Sequence, residues 1–276
     1  MAEIKAADVA KLRKTTGAGM MDCKKALTET NGDFEEAIDL LRKKGQKVAS
    51  KRADREASEG AVVADISTDG KFSAVIALNC ETDFVAKNDD FVKFAKEILK
   101  VAIDNKPANL DELKNLELNG KKIVDEITNQ IGVIGEKVDL SYYDSISAET
   151  VISYIHPGNK LSTIVGFNIA GIDNQVAKDV AMQVAAMNPI AVNQEGISQK
   201  IIDKEIEIGK EQAIQEGKPA DLAEKISKGR LNKFFKENTL LNQQFVKDNK
   251  VTIQDYLKQQ NKDLTVTEFK RYSLNV

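Results

Sequence analysis

Few side chains in this sequence are able to do covalent chemistry, and they are scattered. There are two cysteines, Cys23 and Cys80, and a single histidine, His156. A thiol nucleophile needs a base within reach. Cys80 with His156 is one such combination, but two isolated residues make a weak pattern, and Cys80 reads better as a small buried residue at a strand end. One histidine, with no Cys-x-x-Cys or His-Glu-x-x-His pattern, leaves no zinc-ligand set. Gly17-Ala18-Gly19 lacks both the Gly-Lys-Ser/Thr ending and the preceding strand of a phosphate loop, so it reads as a turn between helices. The expectation is a chain with no catalytic residues, no metal and no cofactor. The stretch that stands out instead is Asn79-Cys80-Glu81-Thr82-Asp83-Phe84-Val85-Ala86-Lys87-Asn88. Thr82 or Asp83 suits the start of a helix, and Phe84 is a large apolar residue in a polar turn. It is either a staple packed back on the helix or a wedge meant for another protein.

The elements that position this stretch follow from periodicity. Phe72 to Leu78 reads as a strand, paired through the turn Thr68-Asp69-Gly70 with a strand over Ala61 to Ile66. An amphipathic helix starting near Asp89 carries Phe91, Phe94, Ala95, Ile98 and Leu99 on one face and closes at Pro107. Ile123, Val124 and Ile127 mark a further helix. Gly132, Gly135 and the alternating Val138, Leu140 and Tyr142 mark a strand. Ahead of these, residues 1–50 read as three short helices: one beginning at Met1-Ala2-Glu3-Ile4-Lys5, one capped by Asp22, and one capped by Asp33 and running to Gly45. This is a small ubiquitin-associated-like bundle. The basic run from Arg42 to Arg55 has no interleaved aromatics and reads as a solvated helix end and linker rather than an RNA site.

The pattern then repeats. Shifted by 89 residues, Val62-Val63-Ala64-Asp65-Ile66 falls on Val151-Ile152-Ser153-Tyr154-Ile155, and Phe72 to Asn79 falls on Leu161 to Asn168. The helix Phe91 to Ile103 falls on Val180 to Val192. Ile123 to Gln130 and Val138 to Tyr143 resemble Ile253 to Gln260 and Leu264 to Tyr272. A constant offset across two strands and a helix implies a duplicated α+β core, each copy a small antiparallel sheet with helices on one face. The second copy has Ile169-Ala170-Gly171-Ile172-Asp173-Asn174-Gln175 where the first has Cys80 to Asn88, so the acidic–aromatic pair is confined to one copy. That favours a functional Asp83-Phe84. Residues 196–238 are inserted late in the second copy. With a break at Gly217-Lys218-Pro219 and Asp221 as a cap, they read as an antiparallel helical hairpin, a projecting coiled coil. The expected division is 1–54, 55–144 and 145–276.

Bulk composition agrees. The 276 residues are 42% hydrophobic with 5% aromatics and no Trp, so the cores are small and aliphatic. A net charge of −3 gives no electrostatic case for nucleic acid. No apolar run approaches ~18 residues, and there is no signal or transit pattern. Unpaired cysteines fit a reduced, cytoplasmic setting.

Thr16-Gly17-Ala18-Gly19-Met20-Met21-Asp22-Cys23-Lys24-Lys25-Ala26-Leu27 and Asn79-Cys80-Glu81-Thr82-Asp83-Phe84-Val85-Ala86-Lys87 resemble the two signature motifs of the bacterial elongation factor Ts family. The order of parts, a small helical domain, a doubled α+β core and a late helical hairpin, is similar too. The resemblance implies a guanine-nucleotide exchange factor for the GTPase elongation factor Tu, not an enzyme and not a nucleotide binder itself. It implies that Thr82, Asp83, Phe84 and Val85 bear the exchange motif, with the phenyl ring entering the GTPase near its magnesium site. It further implies partner contacts at Ile134 and Gly135, at His156, at Phe245 and Val246, and from a bundle carrying Leu12, Met20 and Met21. It leaves open a homodimer within a 2:2 complex. Lys247 departs from the family, standing where an apolar residue is common. The chain also ends at Val276, just past the last strand, where longer relatives carry a further helix.

Overall fold

A computed structural model describes residues 4–274. The first helix, α1 (Ala6–Thr16), begins later than the sequence suggests: Ile4 and Lys5 precede it, and Met1 to Glu3 lie outside the described residues. α1 ends at a left-handed Gly17, and α2 (Met20–Glu29) follows. Gly19, not Asp22, is the N-cap of α2. Asp22 sits inside its first turn, where a carboxylate complements the helix dipole, and it ion-pairs with Lys44. Asp33 does cap α3 (Phe34–Arg52), accepting a hydrogen bond from the Glu36 N–H at 2.9 Å. Val9, Leu12, Cys23, Ala26, Leu27 and Ala37 form the core shared by these three helices. The third helix is not short. It continues through Gly45 to Arg52, since Gly45 is a crossing point rather than an end, and most of the basic run, expected to be a helix end and linker, is helical.

The first sheet follows: β1 (Glu59–Ile66), β2 (Phe72–Cys80), the single helical turn α4 (Asp83–Ala86), α5 (Asp89–Asn105), α6 (Leu110–Asn115), the small hairpin β3 (Glu117–Leu118) and β4 (Lys121–Lys122), α7 (Ile123–Ile134) and β5 (Val138–Ser147). Gly132 belongs to α7, not to the strand. The second unit has β6 (Thr150–Ile155), β7 (Leu161–Phe167), α8 (Asn174–Met187), the hairpin α9 (Gln199–Gln215) and α10 (Ala220–Asn238), then β8 (Gln244–Phe245), β9 (Asp248–Thr252), α11 (Ile253–Gln260) and β10 (Val266–Ser273). The strand orders are β1-β2-β5 and β10-β7-β6, antiparallel throughout.

The duplication extends to register. Val62 pairs with Ala77 in the first sheet, and Val151 with Gly166 in the second, both displaced by the same 89 residues. Even a β-bulge recurs in place: Ser141 is the extra residue opposite Ala77/Leu78, and Thr267 the extra residue opposite Gly166/Phe167. Alternation then divides the core. Ala74, Ile76 and Leu78 face α5 and α7, while Val75 and Ala77 face the second sheet with Val62, Ala64, Val151 and Ile164. The helix-free faces of the two sheets therefore pack on each other, which is why every residue of β2 is buried.

α9 and α10 pack chiefly on each other. Small residues Gly209, Ala213, Ala223 and Ser227 let the two backbones approach, and Arg230 ties them through Gln212 at 2.8 Å and Glu216 at 2.7 Å. Pro219 precedes the first residue of α10, so Asp221 lies within the first turn instead of capping it. No helix among the described residues is long and apolar enough to cross a membrane.

Candidate partner-binding site

The turn after β2 is fixed from both sides. Thr82 caps α4, its hydroxyl accepting the Val85 N–H at 3.4 Å, and Asn88 caps α5, accepting the Asp90 N–H at 2.8 Å. Two short caps in succession replace the single helix start expected at Asp89. Asp83 opens α4 and ion-pairs with Lys87 one turn on at 2.6 Å. That hydrogen bond holds the Asp83 carboxyl below its ordinary range and the Lys87 amine above its own. Val85 and Ala86 turn inward onto the first core. Phe84 turns the other way and is 83% exposed. The staple reading is therefore corrected, since a staple would bury the ring against α5.

Two carboxylates bind this turn to the one after α7 in a reciprocal way. Glu136 accepts from the Thr82 N–H at 3.1 Å and from the Thr82 hydroxyl at 2.7 Å. Glu81 accepts from the Lys137 N–H at 2.6 Å. Each turn thus lends a side-chain acceptor to the other's backbone. The Lys137 N–H above all, then the Arg52 guanidinium, keeps the Glu81 carboxyl low against the effect of burial. Ile134 is half-buried at the end of α7, and Gly135 is its left-handed cap with open space beside it. Asp83-Phe84 and Ile134-Gly135 are thereby brought together.

His156 comes from the β6–β7 turn. Its exposed ring lies with Nδ1 3.1 Å from the Tyr154 hydroxyl. The same turn is tied to β1 by Asn159, whose carbonyl accepts the Val62 N–H at 2.7 Å, and by Lys160, which pairs with Glu59 at 2.8 Å. Glu59 pairs across the sheet with Cys80, so this turn lies at the same end of β1 and β2 as the first. Met20 and Met21 are exposed at the start of α2, three and four residues beyond Gly17, which rests on Val133 of α7. Leu12 does not join them. It is fully buried in the bundle core and packs there in the free protein.

Phe245 and Val246 sit apart, on the second unit. Phe245 is 4% exposed and stacked on Tyr256 at 4.4 Å, so only Val246, 49% exposed, faces solvent. In the free protein Phe245 packs in the second core. Lys247, the family departure, has a partner here: it reaches the buried Asp179 at 2.7 Å. Glu136 and Asp179 were absent from the sequence reading, and Arg52 entered it only as part of the basic run; no local motif marks any of the three.

The Cys80–His156 reading does not survive the geometry. Burial pushes the Cys80 thiol up to about 12, it hydrogen-bonds to the Thr82 carbonyl at 3.2 Å, and the ring of His156 is engaged with Tyr154. Among the described residues, no group of three or more His, Cys, Asp or Glu is arranged to hold a metal ion. A recess of about 590 Å³ between the bundle and α7 is lined by residues such as Thr16, Asp22, Lys44 and Glu126, and its wall includes none of the site candidates. The candidate site is a set of exposed turns, not a pocket.

Comparison with known proteins places the chain among related sequences. The Elongation factor TS family profile matches residues 81–276. Elongation factor Ts of Porphyromonas gingivalis (strain ATCC 33277) is 56% identical over 269 residues, covering 97% of each chain. The Christiangramia forsetii protein of the same name is 50% identical over 276 residues, covering 99% of this chain and all of the relative. That of Chloroherpeton thalassium is 42% identical over 286 residues, covering 99% of each.

Proposed function

This chain belongs to the elongation factor Ts family, and we propose that it acts as a guanine-nucleotide exchange factor that binds elongation factor Tu with GDP and promotes GDP release. The observation that carries this reading is the exposure of Phe84 on a turn fixed at both ends. A large apolar ring held in water by an anchored backbone is a preorganised anchor for a partner, because little ordering entropy remains to be lost on binding.

The mechanism is one of linkage. A factor that binds the nucleotide-free GTPase better than the loaded one must weaken nucleotide affinity by the same ratio. Magnesium and the phosphate-binding backbone hold the nucleotide in such GTPases, so disturbing that site releases it. Burying Phe84 supplies about 1.5–3 kcal/mol toward the disturbance. Thr82 and Asp83 shape the turn, Val85 anchors it inward, and Ile134, Gly135, His156, Met20, Met21 and Val246 supply the surrounding hold. The chain needs no catalytic residue, cofactor or bound nucleotide of its own for this. It works in the cytoplasm, on a protein partner, with a homodimer in a 2:2 complex as one assembly that the family permits.

The division 1–54, 55–144 and 145–276 suits this work. A ubiquitin-associated-like bundle docks on the nucleotide domain, the first core unit carries the wedge, and the second presents Val246 and a coiled-coil arm. The decisive experiment is release of labelled GDP from elongation factor Tu with and without this protein. An unchanged release rate at saturating protein sinks the exchange reading.

A further inference from the structure

We propose, resting on the exchange reading above, that Arg52 is a positioning residue for Phe84: through Glu81 it ties the turn bearing the ring to the long helix of the bundle. The seating of the bundle on the GTPase then sets the direction of the phenyl ring.

Arg52 is the last residue of α3, and its Nη1 donates to both Glu81 carboxylate oxygens, at 2.7 and 2.9 Å. Glu81 immediately precedes the capping residue Thr82. Its side chain is largely buried, so these charge-assisted bonds are weakly screened. The Arg55 guanidinium lies farther off, at 3.8 Å from the second oxygen. Lys137, whose N–H holds the same carboxylate, sends its ammonium the other way, to the carbonyls of Ala53 and Arg55 at 2.8 Å. Those carbonyls lie just past α3, where a helix end leaves acceptors unmatched. The end of α3 is thus held to the wedge turn twice, by its side chain and by its backbone.

α3 is a stiff connection. Its 19 residues span about 28 Å at 1.5 Å per residue. It helps form the bundle core through Ala37 and rests on the first core through Val48 and Ala49. Phe84 is mostly exposed, so little packing fixes its direction. The ring points where the backbone of 82–85 points, and that backbone is set by Thr82–Glu136 and by Glu81. Releasing Glu81 frees the ring's direction while Val85 and Ala86 stay packed, so orientation and folding separate.

The test uses Arg52→Gln and Arg52→Lys in the full chain. Saturable GDP release from elongation factor Tu is measured alongside amide hydrogen exchange of the free protein. Arg52→Gln is expected to lower the maximal release rate about tenfold while moving the half-saturating concentration less than about threefold, the signature of a group that shapes the productive complex rather than its formation. Arg52→Lys keeps the charge and recovers most of the rate. Amides of residues 82–88 lose protection in Arg52→Gln, while those pairing β1 with β2 do not. An unchanged maximal rate, unchanged protection at 82–88, or an Arg52→Lys protein no better than Arg52→Gln overturns the proposal. If the wild-type protein fails to release GDP at all, the exchange reading falls, and the hydrogen-exchange comparison alone decides the tether.

Discussion

Gly45 and Gly132 meet backbone to backbone where α3 crosses α7. A methyl group on Gly132 would lie 2.6 Å from the Gly45 Cα, inside any contact that real side chains make. The relationship is not symmetric. A methyl on Gly45 would meet the Thr128 carbonyl at 3.4 Å and the Gly132 Cα at 3.5 Å, ordinary packing distances. Gly132→Ala is therefore expected to push the helices apart and cost about 1–3 kcal/mol, as overpacking does. Gly45→Ala should be neutral or gain up to about 1 kcal/mol from helix propensity. Urea unfolding of the two variants decides it, and equal losses would show that the crossing is not tight on the Gly132 side.

The buried carboxylate of Asp179 gives a pH signature. Burial works to raise its pKa, but donation from Lys247, Gln175 and Tyr256 outweighs burial and holds it below the ordinary value. A carboxyl depressed in the folded state contributes stability that is present above the unfolded value, about 3.9, and is lost as pH falls through the folded one. Asp179→Asn should cost about 1–3 kcal/mol at pH 7, with the gap to wild type narrowing below about pH 4. The side chain of Gln183, one turn along α8, accepts the Val246 N–H at 2.9 Å, so the same helix face holds the turn that exposes Val246. A gap that stays constant from pH 7 to pH 3 would mean that the Asp179 charge adds nothing.

The parts of this molecule legible in sequence were those with local or periodic causes. The 89-residue offset predicted two small antiparallel sheets, whose registers match, and alternation in Phe72 to Leu78 predicted the strand. Asp33 was readable as a cap because capping is a three-residue event. What was not readable depended on partners far away in the chain. Gly45 looks like a helix stop until Gly132, 87 positions later, explains it. Glu136 reaches Thr82 across 54 residues, and Lys247 reaches Asp179 across 68, with no local pattern in either case. Leu12 and Phe245 were assigned to the interface by resemblance alone; burial depends on the whole fold, and in the free protein it places both inside.

Leu12 and Met21 therefore make opposed predictions within one bundle. Leu12 is buried completely, so Leu12→Ala should cost about 2–5 kcal/mol and loosen the bundle. Met21 is 65% exposed on a helix start, and Met21→Asp should leave stability within about 0.5 kcal/mol. Its effect should appear in binding to elongation factor Tu, where an exposed, adaptable thioether is replaced by a charge. Calorimetric unfolding and a binding titration on the pair separate the roles. Full binding by a stable Met21→Asp protein would remove α2 from the interface.

Phe84→Ala is the sharpest case, because exposure separates its effects. The ring is largely exposed in the free protein, so removing it should change the melting temperature little. Binding should fall only in part, since Met20, Met21, Ile134, His156 and Val246 still present the rest of the surface. The exchange step should lose most, about 2 kcal/mol as for a buried interface anchor, or roughly thirty-fold in the rate of GDP release. Measuring release, binding and thermal unfolding on the same variant gives three independent numbers. A staple predicts a lowered melting temperature, which 83% exposure argues against. A wedge predicts intact folding, mostly intact binding and slow release. If Phe84→Ala releases GDP as fast as the wild type at saturating concentration, the ring is not what disturbs the nucleotide site, and that work must fall to the turns at Ile134 and His156 that stand beside it.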